Sequence, residues 1–511
     1  MDRRHFLSLS AATFALTACG GGSSSKTNTQ PPIAPPPADT GAISTEQWQT
    51  FKDALQGDLV LPSDTSAYRN ARVVFNTRFD HILPQAIVKC NSEQDVVSAL
   101  SFIREHSLAV TPRCGSHGYA GYSTTTGVII DVTPLNSITI EPGTVTIGAG
   151  ARLADVYDQL TAQGVAIPLG SCLSVGISGL TLGGGVGVVD RAYGLTCDNL
   201  ISAKVVTANG DILTCSQSQH SDLFWALQGG GGGNFGVVTE FTFNTHETKD
   251  ISVFEAYYPF NDFTEVISQW QLLSQAWPNE IWCQIIPDWT SGTPTLYIRA
   301  FCVNSQAAAS VYWDDFINSI NANVLSNTVT TDTYRNIMMG TCSETVAVCH
   351  LSSQFEQGRM PRSAFAASSD YFDQLLPETA FETLKTFIET SIENNNYGML
   401  IINTMGGAID NVSTTDTAFV HRNTLFSVEY YAPLNTAVSN DKIDATQKWA
   451  NSFREVMAPW STGGAYVNYI DPLITDWEYA YYGENYPKLQ AVKAQYDNEQ
   501  VFRLPQGVQS A

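Results

Sequence analysis

The chain predicts an α+β protein of two packed units, and three observations lead there. Its 511 residues exceed what one core usually encloses. Between Asn91 and Phe243, short apolar strands alternate with stretches of helical period. Beyond about residue 250 the pattern changes to long alternating runs, "VFEAYYPF", "IWCQIIPDW", "TLYIRAFCV" and "LFSVEYYAPL", with helical stretches such as "TEVISQWQLLSQAW" between them. That is the pattern of an antiparallel sheet with helices on one side.

The first segment belongs to neither unit. "MDRRHFLSLSAATFALTAC" joins Arg3 and Arg4 to an apolar run too short to span a bilayer, which predicts an export signal. "LTAC" resembles a bacterial lipobox in which Cys19 becomes the lipidated first residue of the mature protein. "RRHFL" resembles the twin-arginine signal, which exports folded and often cofactor-loaded proteins. The expected location is the periplasmic side of the cell envelope, anchored at the outer membrane through that lipid. Residues 20–45 are rich in Ser, Gly and Pro and predict an extended tether.

In the first unit, "NSEQDVVSALSFIREHS" predicts a helix capped by Ser92 with Asp95, with Val96, Leu100 and Ile103 on its apolar face. The strands "LAVTPR", "VIIDV" and "TVTIG" and the helix "ARLADVYDQLTAQG" follow, with Gly164 ending that helix. "ISAKVVTANGDILTC" predicts a hairpin turning at Asn209-Gly210. The helix "SDLFWALQ" and the strand "FGVVTEFTF" flank a run of five glycines.

Charge and motifs exclude several functions. A net charge of -23 opposes binding to nucleic acid and to anionic membrane surfaces, so membrane contact is expected only through the lipid anchor. "GGGNFG" matches the dinucleotide glycine pattern in the wrong context, after a helix and before a strand. The P-loop, zincin and serine-hydrolase patterns are missing from the sequence, and the eight His are scattered rather than clustered for a metal. The ten Cys, in an exported chain, permit disulfides, for which Cys342 and Cys349 are candidates.

Two segments carry the chemistry: "RCGSHGYAGYS", with His117 among glycines, and "GSCLSVGISGLTLGGGVGVVDRAYGLTCDNL", with Cys172 among small residues. Together with "SDLFWALQGGGGGNFGVVTEF" and the C-terminal "AYVNYIDPLITDWEYAYYGENYPKLQ", they resemble the berberine bridge enzyme-like family of FAD-linked oxidases, within the vanillyl-alcohol oxidase class. The resemblance runs from about residue 65 to the end and is weakest between 250 and 400.

It implies a two-part FAD-binding domain of the PCMH type (residues 65–248 and 461–511) enclosing a substrate-binding domain (249–460). FAD would be attached bicovalently, to His117 and to Cys172. Arg113, Cys114, Gly115, Ser116, Gly118, Val175, Gly176, Gly179, Val238, Tyr466 and Asn468 would line its site. Cys114 and Ser116 depart from the family's Ser and Gly, and the Cys114 thiol is open to a disulfide. Val175 matches the position at which Val accompanies oxygen use in plant members.

The implied reaction is oxidation of a hydroxyl on a carbohydrate or other secondary alcohol, followed by reoxidation by O2 to H2O2. Tyr469 matches the base of oligosaccharide oxidases and would need a nearby cation or hydrogen-bond donors to work near neutral pH. Asn403, before Gly406-Gly407, would orient the substrate, small molecule or oligosaccharide. Two other readings stay open: a dehydrogenase of the same fold serving an envelope acceptor, and a binding lipoprotein without catalysis.

Overall fold

The structure is a computed structural model that describes residues 43–342, 361–434 and 439–511. The export signal, Cys19, nearly all of the tether and Cys349 lie outside the described residues. Cys342 is disulfide-bonded.

The described residues open with a helix, Thr45–Asp53, closed by a capping box between Ser44 and Gln47. Strands β1 (Asp58–Val60), β2 (Ala86–Lys89), β3 (Val110–Arg113) and β4 (Val128–Asp131) form a four-stranded sheet in the order β1-β2-β4-β3. β2 and β3 run parallel to β4, and the helix Glu93–Glu105 makes the crossover between them. That helix has the expected cap, with Ser92 Oγ accepting from the Asp95 N–H and the Asp95 carboxylate accepting from that of Ser92. The first unit therefore begins before residue 65: β1 pairs with β2, and Phe51 stacks on Phe102 at 4.3 Å. A three-residue strand is too short to leave an alternating pattern.

A second sheet follows from β5 (Ile138–Glu141), β6 (Thr144–Gly148), β8 (Leu200–Val206), β9 (Ile212–Ser216) and β10 (Val237–Asn244), all antiparallel, in the order β5-β6-β10-β8-β9. β7 (Val165–Ala166) and β11 (His246–Glu247) make a small pair beside it. The expected hairpin joins β8 to β9, with Val206 opposite Ile212 and Gly210 at φ +86°, the left-handed conformation its turn requires.

The third sheet has seven antiparallel strands: β12 (Ile251–Pro259), β13 (Ile281–Asp288), β14 (Thr295–Cys302), β15 (Ser326–Asp332), β16 (Ala364–Phe372), β17 (Met399–Thr404) and β18 (Phe426–Leu434). Their order is β15-β12-β14-β13-β17-β18-β16. Alternation divides its faces. Ala256, Ile285, Ile298, Leu400 and Val428 point into a core with apolar residues of the helices Phe263–Ala276, Gln306–Ser319, Glu378–Glu393 and Asn440–Met457. Gln284, Arg299, Asn403 and Glu429 lie on the opposite face, which closes one wall of the cavity described below.

The last segment returns to the first core, where Val467, Tyr481, Tyr482, Leu489 and Val492 are buried. Lys493, fully buried, fastens it by donating to Asn234 O at 2.6 Å, Phe502 O at 2.7 Å and the Asp497 carboxylate at 2.6 Å. A buried ammonium keeps its charge only when paired and hydrogen-bonded in this way.

Candidate active site

The four segments singled out from the sequence meet at a cavity of about 560 Å³. Its lining includes Arg113, Cys114, Gly115, Ser116, His117, Gly118, Cys172, Val175, Gly176, Gly179, Val238, Asn403, Tyr466, Asn468 and Tyr469. The volume lies within the range of sites that enclose a cofactor or a drug-sized ligand.

The His117 loop and the Cys172 segment touch because neither has a side chain where they cross. A Cβ on Gly115 would lie 2.1 Å from Gly176 N, and one on Gly176 would lie 2.1 Å from Cys114 Sγ. Arg152 braces the crossing, donating to Ser174 O at 2.7 Å and Gly115 O at 3.3 Å. Ser174 joins the two reactive side chains, with its hydroxyl 2.9 Å from His117 Nε2 and 3.6 Å from Cys172 Sγ. Gly176→Ala is expected to lower unfolding stability by about 1–3 kcal/mol through overpacking, as measured by denaturant titration.

Ser116 explains one departure of the loop. Its φ is +64°, where glycine is at ease and a serine is strained by roughly 1–2 kcal/mol. Cys114, the other departure, is a free, buried thiol 3.7 Å from Ala151 O, so no disulfide forms there. Arg113 lies in the wall, and its guanidinium pairs with the buried Asp131 carboxylate at 2.6 Å.

Burial and the Arg152 charge push the His117 imidazole down to about 3, so it is neutral. Phe75 stacks on it at 3.9 Å, and Nδ1 has no hydrogen-bond partner among the described residues. Burial pushes the Cys172 thiol up, with hydrogen bonds from Ser174 working against it.

Glu429 is a side chain that sequence reasoning missed. It is 3% exposed in the middle of β18. Tyr119 donates to its carboxylate at 3.0 Å, and the Tyr469 hydroxyl acts on the same group electrostatically. Burial pushes the Glu429 carboxyl up to about 7 against the pull of these two hydroxyls. The Tyr469 ring stacks on Tyr119 at 5.2 Å and meets Tyr466 edge-on at 4.9 Å.

This corrects the expectation for Tyr469. Where a cation or hydrogen-bond donors were expected it has a carboxylate for a neighbour, and burial and Glu429 push its phenol well above the usual value. Tyr119, two residues after His117, was also missed. Asn468 donates to Leu180 O and to the Tyr466 hydroxyl, which in turn receives the Gly185 N–H. Asn403 is 5% exposed on β17, opposite Gln284 on β13 and Ser427 on β18.

The arrangement offers a neutral imidazole and a thiol beside a glycine-walled space, and a carboxyl poised near neutrality behind two tyrosines. Residues 84–216 match the family profile described as an FAD binding domain, and residues 465–509 match the one described as berberine and berberine like. An uncharacterized FAD-linked oxidoreductase of Bacillus subtilis, YgaK, is 32% identical over 89% of this chain and 98% of its own. Among solved structures, BBE-like 1 of Physcomitrella patens is 25% identical with a TM-score of 0.81, covering 90% of this chain and 98% of that one. A chitooligosaccharide oxidase is 25% identical with a TM-score of 0.79, covering 91% and 99%.

Proposed function

The chain belongs to the berberine bridge enzyme-like family of FAD-linked oxidoreductases, and from that premise we propose that it is an oxidase of substrate hydroxyl groups. In this reading FAD is joined to His117 and Cys172, the substrate is a carbohydrate or other secondary alcohol, and O2 is reduced to H2O2. The observation that carries it is the Glu429 carboxyl, held near neutrality in the same cavity as His117 and Cys172.

The residues fit the cofactor. A Cβ on Gly179 would meet no atom within 4 Å, and on Gly232 none nearer than 3.9 Å, so both face open space along the wall. Such a backbone approaches a pyrophosphate closely. The neutral His117 ring keeps a lone pair for a covalent bond, and Cys172 supplies the second attachment. FAD, when bound, supplies the two-electron acceptor for the hydride leaving the carbon that bears the hydroxyl.

The protein's own part is to take the hydroxyl proton. With its phenol pushed well above the usual value, Tyr469 does not stand as a phenolate near neutral pH. It accepts the substrate proton only as its own proton passes to Glu429, which is the group with a suitable affinity. Tyr119 also holds the carboxylate, and Asn403 orients the substrate hydroxyl without accepting a proton. Val175, half-buried on the cavity wall, leaves room for O2.

Screening sugars and aromatic alcohols for flavin bleaching under argon tests the reading. Sugars are expected to bleach the protein and to yield peroxide in air. Bleaching without peroxide assigns a dehydrogenase, and bleaching only by other alcohols removes the carbohydrate assignment. Arg3, Arg4 and the "LTAC" box support export and lipidation. Cys19→Ala is therefore expected to move the protein from the membrane fraction to the soluble periplasm, as followed by cell fractionation.

A further inference from the structure

Ser174 is buried behind the cavity wall, outside its lining, yet its one hydroxyl meets both side chains of the proposed attachment. Oγ lies 2.9 Å from His117 Nε2 and 3.6 Å from Cys172 Sγ. The surrounding backbone holds it in place. Arg152 donates to Ser174 O at 2.7 Å, and the Leu153 and Ala154 N–H groups donate to Val175 O and Leu173 O on either side of it, each at 3.0 Å.

A hydroxyl has one hydrogen to give, so two arrangements are open. In one, the Cys172 S–H donates to Oγ and the Oγ–H donates to Nε2. The ring hydrogen then sits on Nδ1, where it meets no acceptor among the described residues. In the other, Nε2–H donates to Oγ and the Oγ–H donates to Sγ. The ring and hydroxyl hydrogens then both have acceptors, and a weak S–H donor is replaced by a stronger N–H. The Nδ1 lone pair is left free.

We propose that Ser174 is the positioning residue for flavin attachment, holding His117 as the Nε2–H tautomer with a free Nδ1 lone pair and donating to the Cys172 sulfur. This rests on reading His117 and Cys172 as the points that bind FAD. Each attachment exchanges a C–H bond of the flavin for a C–N or C–S bond. The flavin hydrogen and the imidazole or thiol hydrogen leave as protons, two electrons stay on the flavin, and O2 takes them up with both protons as H2O2. Burial and Arg152 disfavour a charged imidazole, so the Nε2 proton has to leave as Nδ1 bonds, and Ser174 Oγ is the acceptor it already faces. Burial also keeps the Cys172 thiol protonated. The Ser174 hydroxyl works against that, with the Ser174 and Val175 N–H groups and the Arg152 charge, towards the thiolate that attacks carbon.

Full-length protein from riboflavin-starved cells is given FAD and sampled into acid at intervals, so that pellet colour follows attachment. The Cys172→Ala and His117→Ala backgrounds read the His117 and Cys172 bonds separately. Ser174→Ala is expected to slow both by about ten-fold, as for a lost buried hydrogen bond, and Ser174→Thr, which keeps a hydroxyl, to recover most of the rate. In the His117→Ala background the rate should rise with pH as thiolate forms, and Ser174→Ala should move that rise to higher pH. Tyr431, which also faces this sulfur, keeps its proton up to about 12 and leaves the profile to the thiol. Unslowed attachment in either background, or a Ser174→Thr as slow as Ser174→Ala, overturns the proposal, while yellow wild-type pellets keep the attachment reading. Loss of FAD binding before acid in both Ser174 variants makes the role structural and overturns it as well. A colourless wild-type pellet removes the attachment reading and the proposal with it.

Discussion

Glu429→Gln is expected to lower the rate of flavin reduction by about 10²- to 10⁴-fold, the usual worth of a positioned proton acceptor. Gln has the shape of Glu and can still accept from Tyr119, so the cavity keeps its form. What disappears is the proton's destination. Stability should move the other way. A carboxyl raised from 4.5 to about 7 binds its proton more tightly folded than unfolded, so wild-type stability falls as pH climbs through that window. The amide has no such penalty, and Glu429→Gln should be at least as stable as wild type above neutrality in thermal unfolding. A loss of rate without a loss of stability separates a chemical role from a structural one. Tyr119→Phe provides a second check. It removes a donor to the charged carboxylate, so the Glu429 carboxyl should rise further and the pH profile should shift upward.

The second large effect concerns the proposed attachment. When the matured protein is precipitated with acid, the wild type should come down yellow, and so should His117→Ala and Cys172→Ala singly, each keeping one bond. The double variant should come down colourless, with its flavin left in the supernatant. Absorbance of pellet and supernatant measures both. A neutral imidazole and a thiol on either side of Ser174 are the two proposed attachment points. Colour retained in the double variant would place the attachment elsewhere.

Why the sequence revealed some of this and not the rest follows from the range over which each signal acts. His117 and Cys172 sit in segments whose glycines are themselves the message: Gly115 and Gly176 have no side chains because two backbones cross there. The Ser92 cap and the Asn209-Gly210 hairpin are equally local, set by neighbours within a few residues. Glu429 is different. In "LFSVEYYAPL" it is one acid in an alternating strand, and its chemistry arises only when the His117 loop and the C-terminal segment bring Tyr119 and Tyr469 to it from about 310 and 40 positions away. An acid inside a strand of otherwise buried positions was the available signal. The same limit put a carboxylate beside Tyr469 where a cation or hydrogen-bond donors were expected. It also hid β1, whose three residues pair with Ile87–Lys89 of β2.

The most direct test of the central claim, that Glu429 receives the hydroxyl proton, is the pH dependence of flavin reduction by saturating substrate under argon. In the wild type the rate should fall about ten-fold per pH unit below about 7, because only the carboxylate form accepts a proton, and Glu429→Gln should lack that limb. The same limb in both proteins would contradict it.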